Sequence, residues 1–283
     1  MPDSYDLSDK VAIIIGGSKG MGLACAEQFA ASGAKVLITS RNAEELDKIV
    51  ASLNQRFGKG GIVAASQAGD MSRKEDLRVI VDKTLATFGK ITSLVLSPTI
   101  RPWFGSAIDT PDAEIDEQFL FIFKSRFWIS SMCIPEMAKA GGGSVVFIGS
   151  GAVFEATSER SVYSAIRAAE FKLMENFAAE FGKDNIRFNF ISPAMIKSSG
   201  SQALFRDPDV QKRFSERLPM KRHGEVEEIA SVATFLVSES SSFTTGAVLP
   251  VDGGRNLHAS SSDLTSAFRP ENDPRFRGQA AAA

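Results

Sequence analysis

Short runs of consecutive apolar residues recur along the chain. They lie at Val11 to Ile15, Ala34 to Thr39, Gly61 to Ser66, Ile91 to Leu96, Val145 to Ile148, Asn185 to Phe190 and Gly246 to Gly254. The first is an unbroken run of β-branched residues and one alanine, which suits a strand covered on both faces of a parallel sheet. Between the runs, apolar residues return at helical spacing: Leu23 to Ala31, Ala43 to Phe57, Ser72 to Phe88, Thr110 to Ala140, a helix starting near Ser161, and Glu225 to Ser238. Ser72 with Glu75 predicts a capping box. Thr110 and Pro111 predict a helix start with proline in the first turn, and Pro135 a kink near that helix's end. Strand and helix alternate throughout, so the expected fold class is α/β, a Rossmann-type doubly wound parallel sheet of about seven strands flanked by helices. One domain is expected over 1–257, followed by a polar tail at 258–283 ordered only by a partner.

Glycines mark the first turn. Gly16-Gly17-Ser18-Lys19-Gly20-Met21-Gly22 joins the first strand to the first helix, and Ala34 to Thr39 completes a βαβ unit. Such a turn lets backbone approach a pyrophosphate, and the new helix offers its free N–H groups to the phosphates. The stretch after the second strand reads Ser40-Arg41-Asn42, with no carboxylate until Glu44. Arg41 and Lys19 together predict two cations around a 2′-phosphate, hence NADP. A second concentration of chemistry lies between Gly143 and Phe171. Ser150 leaves a strand, and Tyr163 and Arg167 stand four residues apart on one helix face. A cation about 5 Å from a phenol at an effective dielectric of about 20 favours phenolate by about 3 kcal/mol.

The spacing Gly16-x-x-x-Gly20-x-Gly22 resembles the nucleotide loop of the short-chain dehydrogenase/reductase superfamily, whose pattern is Thr-Gly-x-x-x-Gly-x-Gly, with Ile15 in place of the threonine. The resemblance runs from about Leu7 to Leu257. It implies cofactor contacts from Gly16, Ser18, Lys19, Gly20, Met21, Gly22 and Arg41, from Asp70 and Met71 at the adenine, and from Ser97, Tyr163, Arg167, Pro193 and Ile196 towards the nicotinamide. It also implies Ser150, Tyr163 and Arg167 as the catalytic set. Several positions depart from the family. Leu96-Ser97-Pro98-Thr99 stands for Asn-Asn-Ala-Gly, and Ala194 for the glycine of the segment after the sixth strand. Arg167 stands for lysine, and Ile122 for a helix asparagine that anchors a relay water. Ser125 and Arg126, three and four residues beyond Ile122, are candidates to supply the missing polar group.

Composition narrows the partners. The 283 residues carry a net charge of −2 with both signs dispersed, which gives no footprint for nucleic acid or an anionic membrane. The polar start MPDSYDLSDK is no signal peptide, and no apolar run is long enough to span a bilayer. Cys25 and Cys133 form no disulfide framework, so a cytoplasmic setting is expected. His223 and His258 have no ligand-spaced partners, and no metal is expected. The resemblance implies a homotetramer or homodimer.

Three activities fit these residues. The first is an NADP-dependent oxidoreductase acting on a carbonyl or alcohol of a moderately apolar small molecule, its pocket formed by Trp103, Phe104, Phe154, Met195, Leu204 and Phe205 under a lid at Lys197 to Arg217. The second is a cofactor-bound sensor, and the third an isomerase, lyase or cyclase that uses Tyr163 around bound NADP.

Overall fold

The computed structural model describes residues 5–97, 100, 102–156, 158–198, 201 and 204–257. Pro98, Thr99, the side chain of Leu204 and the tail from 258 lie outside the described residues. The first half comprises β1 (Val11–Ile15), α1 (Gly20–Ala31), β2 (Lys35–Thr39), α2 (Ala43–Phe57), β3 (Ala64–Ser66), α3 (Lys74–Phe88) and β4 (Ser93–Leu96). It continues through α4 (Asp112–Gln118), α5 (Ser125–Lys139), β5 (Gly143–Ile148), α6 (Ser161–Phe181) and β6 (Ile186–Pro193). The last part holds β7 (Ile196–Lys197), α7 (Pro208–Arg217), β8 (Gly224–Glu225), α8 (Val226–Val237) and β9 (Val248–Val251).

Seven strands form one sheet in the order β3-β2-β1-β4-β5-β6-β9, and every neighbouring pair is parallel. β7 and β8 form a separate short parallel ladder. The apolar runs are unbroken because alternate residues serve two cores. Ala12, Ile14, Val36, Ile38 and Val146 pack with α1, α2 and α8, whereas Ile13, Ile15, Leu37, Val145 and Phe147 pack with α3, α5 and α6. Cys25 belongs to the first core and Cys133 to the second, both fully buried and free. Burial pushes both thiols up to about 12, which keeps them unreactive. No helix among the described residues is long and apolar enough to cross a membrane.

Three local expectations are corrected. Ser72 makes no capping box: its N–H and hydroxyl both donate to Asp70 Oδ1, at 2.9 and 2.7 Å, and α3 starts after Arg73 instead. A carboxylate two residues upstream competes successfully for the cap. Pro111 precedes α4 as its N-cap residue, and the Thr110 hydroxyl donates back to Ser106 O at 3.4 Å. The third strand is limited to 64–66. Asn54 of α2 takes the N–H groups of Val63 and Ala64, both at 2.9 Å, so a side chain replaces part of the ladder. α5 passes through Pro135 without a break. Phe119–Lys124, between α4 and α5, is wound as a π-helix.

The sheet order reverses beside β1, where β4 rather than β3 is its second neighbour. In a doubly wound sheet the ligand crevice opens there, beyond the carboxyl ends of the strands. Ile15 pairs in register with both Thr39 and Leu96, and Leu96 with Phe147. The loop at Gly16, Ser97 after β4, and Ser150 after β5 are therefore carried to the same edge.

Candidate active site

The loop after β1 turns on two residues with positive φ, Gly16 at 79° and Gly20 at 55°. Gly16 and Gly17 donate their N–H groups to Thr39 O, each at 3.1 Å, so the end of β2 braces a loop whose preceding residue, Ile15, brings no hydroxyl. A Cβ on Gly22 would collide with Gly16 O. Helix and loop are thus in direct backbone contact, leaving room above for a ligand. That room is a cleft of about 910 Å³ lined by Gly16, Ser18, Lys19, Gly20, Met21, Arg41, Asp70, Met71 and Ser97, all named by the sequence, together with Glu44, Glu45, Phe121 and Ser198. A glycine loop packed this closely on its helix, open onto a cleft of this size, fits a dinucleotide.

Gly22 sits below the cleft, and Tyr163, Arg167, Pro193 and Ile196 do not line it. Pro193 is buried at the end of β6. Ile196 faces a separate cavity of about 310 Å³ with Leu218 and Met220, although Ser198, two residues on, reaches the main cleft.

Charge in the cleft is mixed. Lys19 Nζ lies 3.0 Å from Glu45 Oε1, an exposed pair of small energetic weight. Sequence reading missed Glu45, although its place in the first turn of α2 was a signal. Burial acts to raise the Asp70 carboxyl, but the Ser72 hydrogen bonds and the charges of Arg41 and Arg73 outweigh it and hold the group below its ordinary value.

Ser150 follows β5 in extended conformation, and its Oγ accepts the Ala152 N–H at 3.2 Å. Gly149 enforces this exit, since a Cβ there would fall against the ring of Phe190, which is fully buried. α6 then carries Tyr163 and Arg167 under Ser150. Tyr163 is 6% exposed. Burial raises its phenol. The Arg167 charge, hydrogen bonds with Ser150 and Arg167, and the Arg160 charge together outweigh that, leaving the phenol below its ordinary value. Burial acts to lower the Arg167 guanidinium, but Tyr163 and Glu170 more than reverse it, so the group stays charged.

Arg160 was not foreseen, although it stands three residues before Tyr163. Its guanidinium carbon is 4.7 Å from the centroid of the Tyr163 ring and 5.5 Å from that of Phe104. The Trp103-Phe104 segment is tied to the same place by Gly105 N, which donates to Glu159 O at 3.1 Å. Phe104 is thereby linked to the tyrosine through a cation, while Phe154 is half exposed and Phe205 packs edge-on against His223 at 4.8 Å.

Ile122 is fully buried in an apolar cluster with Ala152, Tyr163 and Ile166. It lies in the π-turn, where widened winding frees carbonyl groups. Ser125 Oγ donates to Phe121 O at 2.6 Å, and Arg126 Nη1 donates to Phe121 O and Ile122 O at 3.1 and 3.0 Å. Of the two candidates near Ile122, Ser125 is thus turned back on its own helix. Arg126 instead extends to α6, its Nε 2.6 Å from Glu170 Oε1. Among the described residues no cluster of three His, Cys, Asp or Glu side chains could hold a metal.

A doubly wound sheet with a glycine cradle at its switch point, and a serine, a tyrosine and a cation at the next strand end, defines a nucleotide-dependent α/β protein. The relatives narrow this further. A family model described as enoyl-(acyl carrier protein) reductase matches residues 16–256, and the chain belongs to the short-chain dehydrogenase/reductase superfamily, a family of oxidoreductases. It is 34% identical over 248 residues to dehydrogenase/reductase SDR family member 4 of Oryctolagus cuniculus, covering 88% of this chain and 94% of that protein. Its fold is similar to L-sorbose reductase from Gluconobacter frateurii complexed with NADPH and L-sorbose, with TM-score 0.84 and 26% identity over 91% of this chain and 100% of that one. It is similar also to a 7α-hydroxysteroid dehydrogenase complexed with NADH and 7-oxo glycochenodeoxycholic acid, with TM-score 0.82 and 30% identity over 88% of this chain and 95% of that one.

Proposed function

We propose that the chain is an NADP(H)-dependent oxidoreductase that interconverts a carbonyl and an alcohol on a moderately apolar small molecule. The observation that carries this reading is the buried Tyr163 phenol, held below its ordinary value with the Arg167 guanidinium carbon 5.1 Å from its ring centroid, on the helix that follows Ser150 at the strand edge that also bears the glycine cradle. NADP, when bound, supplies or accepts the hydride. Gly16, Ser18, Gly20 and Met21 would hold its phosphates, Arg41 and Lys19 the 2′-phosphate, Asp70 and Met71 the adenine, and Ser97 the nicotinamide end. Ser150 holds the substrate oxygen by hydrogen bonding, and Tyr163 exchanges the proton with that oxygen. Arg167 biases the phenol towards its anion. Phe104, Phe154 and Phe205 supply apolar surface for the substrate, with α7 and the residues before it as a cover. A homotetramer or homodimer in the cytoplasm is the accompanying proposal, resting on resemblance alone.

A panel of ketones and aldehydes tests the reading by loss of NADPH absorbance. Oxidation of NADPH with stoichiometric alcohol formation is expected. Conversion of substrate without net cofactor oxidation would replace the proposal with acid–base chemistry around a bound nucleotide, and tight NADPH binding with no conversion would make the chain a sensor.

Cofactor choice is tested separately. Arg41 lines the cleft, and the Lys19 ammonium already has Glu45 as a partner. Arg41→Ala should weaken NADPH about 10- to 100-fold, the worth of one charge-assisted hydrogen bond set, while changing NADH by less than about threefold. Calorimetric titration of both nucleotides reads this, and equal losses would sink the assignment.

A further inference from the structure

Two guanidinium groups address the Tyr163 ring, and they differ in what else they touch. Arg167, its carbon 5.1 Å from the ring centroid, is buried and donates to Glu170 at 2.8 Å. Arg160 lies nearer, at 4.7 Å, and its other ring contact is Phe104 at 5.5 Å. Arg167 and Arg255 each pair with a glutamate, whereas Arg160, among the described residues, pairs with none. The acids closest to it in sequence are engaged or exposed. Glu155 accepts from Arg255 Nε and Nη2 at 3.1 and 2.6 Å, and Glu159 is exposed. Arg160 Nε is shut from solvent without an acceptor, while its two Nη groups are not sealed. A guanidinium laid against rings has its plane fixed and keeps its N–H edge free, the edge that matches a carboxylate bidentately.

The backbone is bent to bring this side chain to the site. Glu159 sits in the left-handed region at φ 63°, and its carbonyl accepts the Gly105 N–H at 3.1 Å. A residue with a full side chain keeps that conformation only where the surroundings enforce it, and such residues cluster where ligands are held. Here it delivers Arg160 as the residue immediately before α6, three positions ahead of Tyr163.

We propose that Arg160 recognises a carboxylate on the substrate, so that the enzyme interconverts a keto acid and a hydroxy acid whose acid group stands close to the reacting carbon. This rests on the oxidoreductase activity proposed above and names the substrate class for it. The phenol oxygen belongs to the ring that Arg160 overlies, so an oxygen held by Tyr163 and an anion held by Arg160 lie within the span of one small molecule. In the reducing direction the carbonyl carbon gains the hydride that NADPH supplies when bound, and its oxygen gains the proton that Tyr163 releases. The products are a hydroxy acid and NADP+, with the carboxylate unchanged. Phe104, against the same guanidinium and 58% exposed, offers apolar surface for the rest of the carbon chain. The Arg160 charge also favours the Tyr163 phenolate, as the last among the causes that do so. That effect acts on every substrate alike and does not distinguish an acid from its ester.

The test sets each acid against its own methyl ester, using 2-oxohexanoate and 3-oxohexanoate and following loss of NADPH absorbance. In the wild type kcat/KM should favour the acid of at least one pair by about 10-fold or more. Arg160→Met should cut that acid-to-ester ratio by about 10- to 100-fold, the worth of one charge-assisted contact. Any influence of Arg160 on Tyr163 itself cancels in the ratio. Arg160→Gln carries the same expectation and serves where Arg160→Met does not fold. Esters preferred in both pairs, or a variant that lowers acid and ester equally, would overturn the proposal and leave the oxidoreductase standing. No NADPH oxidation with either kind of compound would sink the activity instead. Calorimetric titration of 2-oxohexanoate into the NADPH-loaded protein then decides for Arg160. Binding weakened about 10-fold or more by Arg160→Met supports the anion site, and equal affinities, or no binding to either protein, overturn it.

Discussion

Tyr163→Phe is expected to lower turnover by about 10²- to 10⁴-fold, the usual worth of a positioned acid–base group, while NADPH affinity stays within about threefold. The hydroxyl is the only atom removed, and the ring, packed with Ile122, Ala152 and Ile166, remains. The pH profile supplies a second readout. Alcohol oxidation needs the phenolate, so its rate should rise as pH rises through the Tyr163 midpoint, which lies below the ordinary phenol value of 10.0. Carbonyl reduction needs the phenol and should fall over the same range. Both limbs should vanish in Tyr163→Phe. An unchanged profile in that variant would assign the proton to Ser150 or to solvent.

Gly149→Ala should destabilise the fold by about 1–3 kcal/mol or more. The added carbon falls on Cζ, Cε1 and Cε2 of Phe190. That ring cannot step aside easily, because it is fully buried and meets Phe171 edge-on at 5.6 Å between centroids. The backbone must yield instead, and the backbone at this point positions Ser150. Denaturant unfolding should show the loss, and the purified variant should lose activity beyond its loss of folded protein. Adding Phe190→Leu removes ring atoms at the point of collision. The double variant should therefore recover part of the stability rather than add the two losses, since residues in contact are not independent. Additive losses would mean that the strain is relieved elsewhere.

Much of the nucleotide site is legible one segment at a time. The turn after β1 is local in cause: glycines at positions with positive φ, a strand before and a helix after. Gly16, Ser18, Lys19, Gly20 and Met21 line the cleft, while Gly22 lies outside its lining. Arg41, Asp70, Met71 and Ser97 follow because each stands at the end of a strand whose place in the sheet is fixed by pairing to its neighbours. Ser72 shows where local reading fails. Two acceptors competed for one N–H, and the closer carboxylate of Asp70 won over a cap three residues ahead. Ile196 shows a second limit, for a short ladder with Gly224 turns it into a different cavity from its neighbour Ser198.

The sequence alone was sufficient for the sheet and for the glycine cradle, because strand burial on two faces and tight turns each leave a short-range pattern of residue types. It also placed Ser150, Tyr163 and Arg167 near one strand end through their spacing. Only the tertiary structure decided what surrounds them. Which arginine meets which carboxylate depends on how α5 and α6 pack and on a π-turn that redirects Arg126, and neither leaves a periodic trace in the chain. The same packing fixed Lys19 on Glu45, put Arg160 between two rings, and separated Cys25 from Cys133 by the thickness of the sheet. Long-range side-chain pairing in a buried setting is set by the summed geometry of many contacts, so it emerges only when the fold is complete.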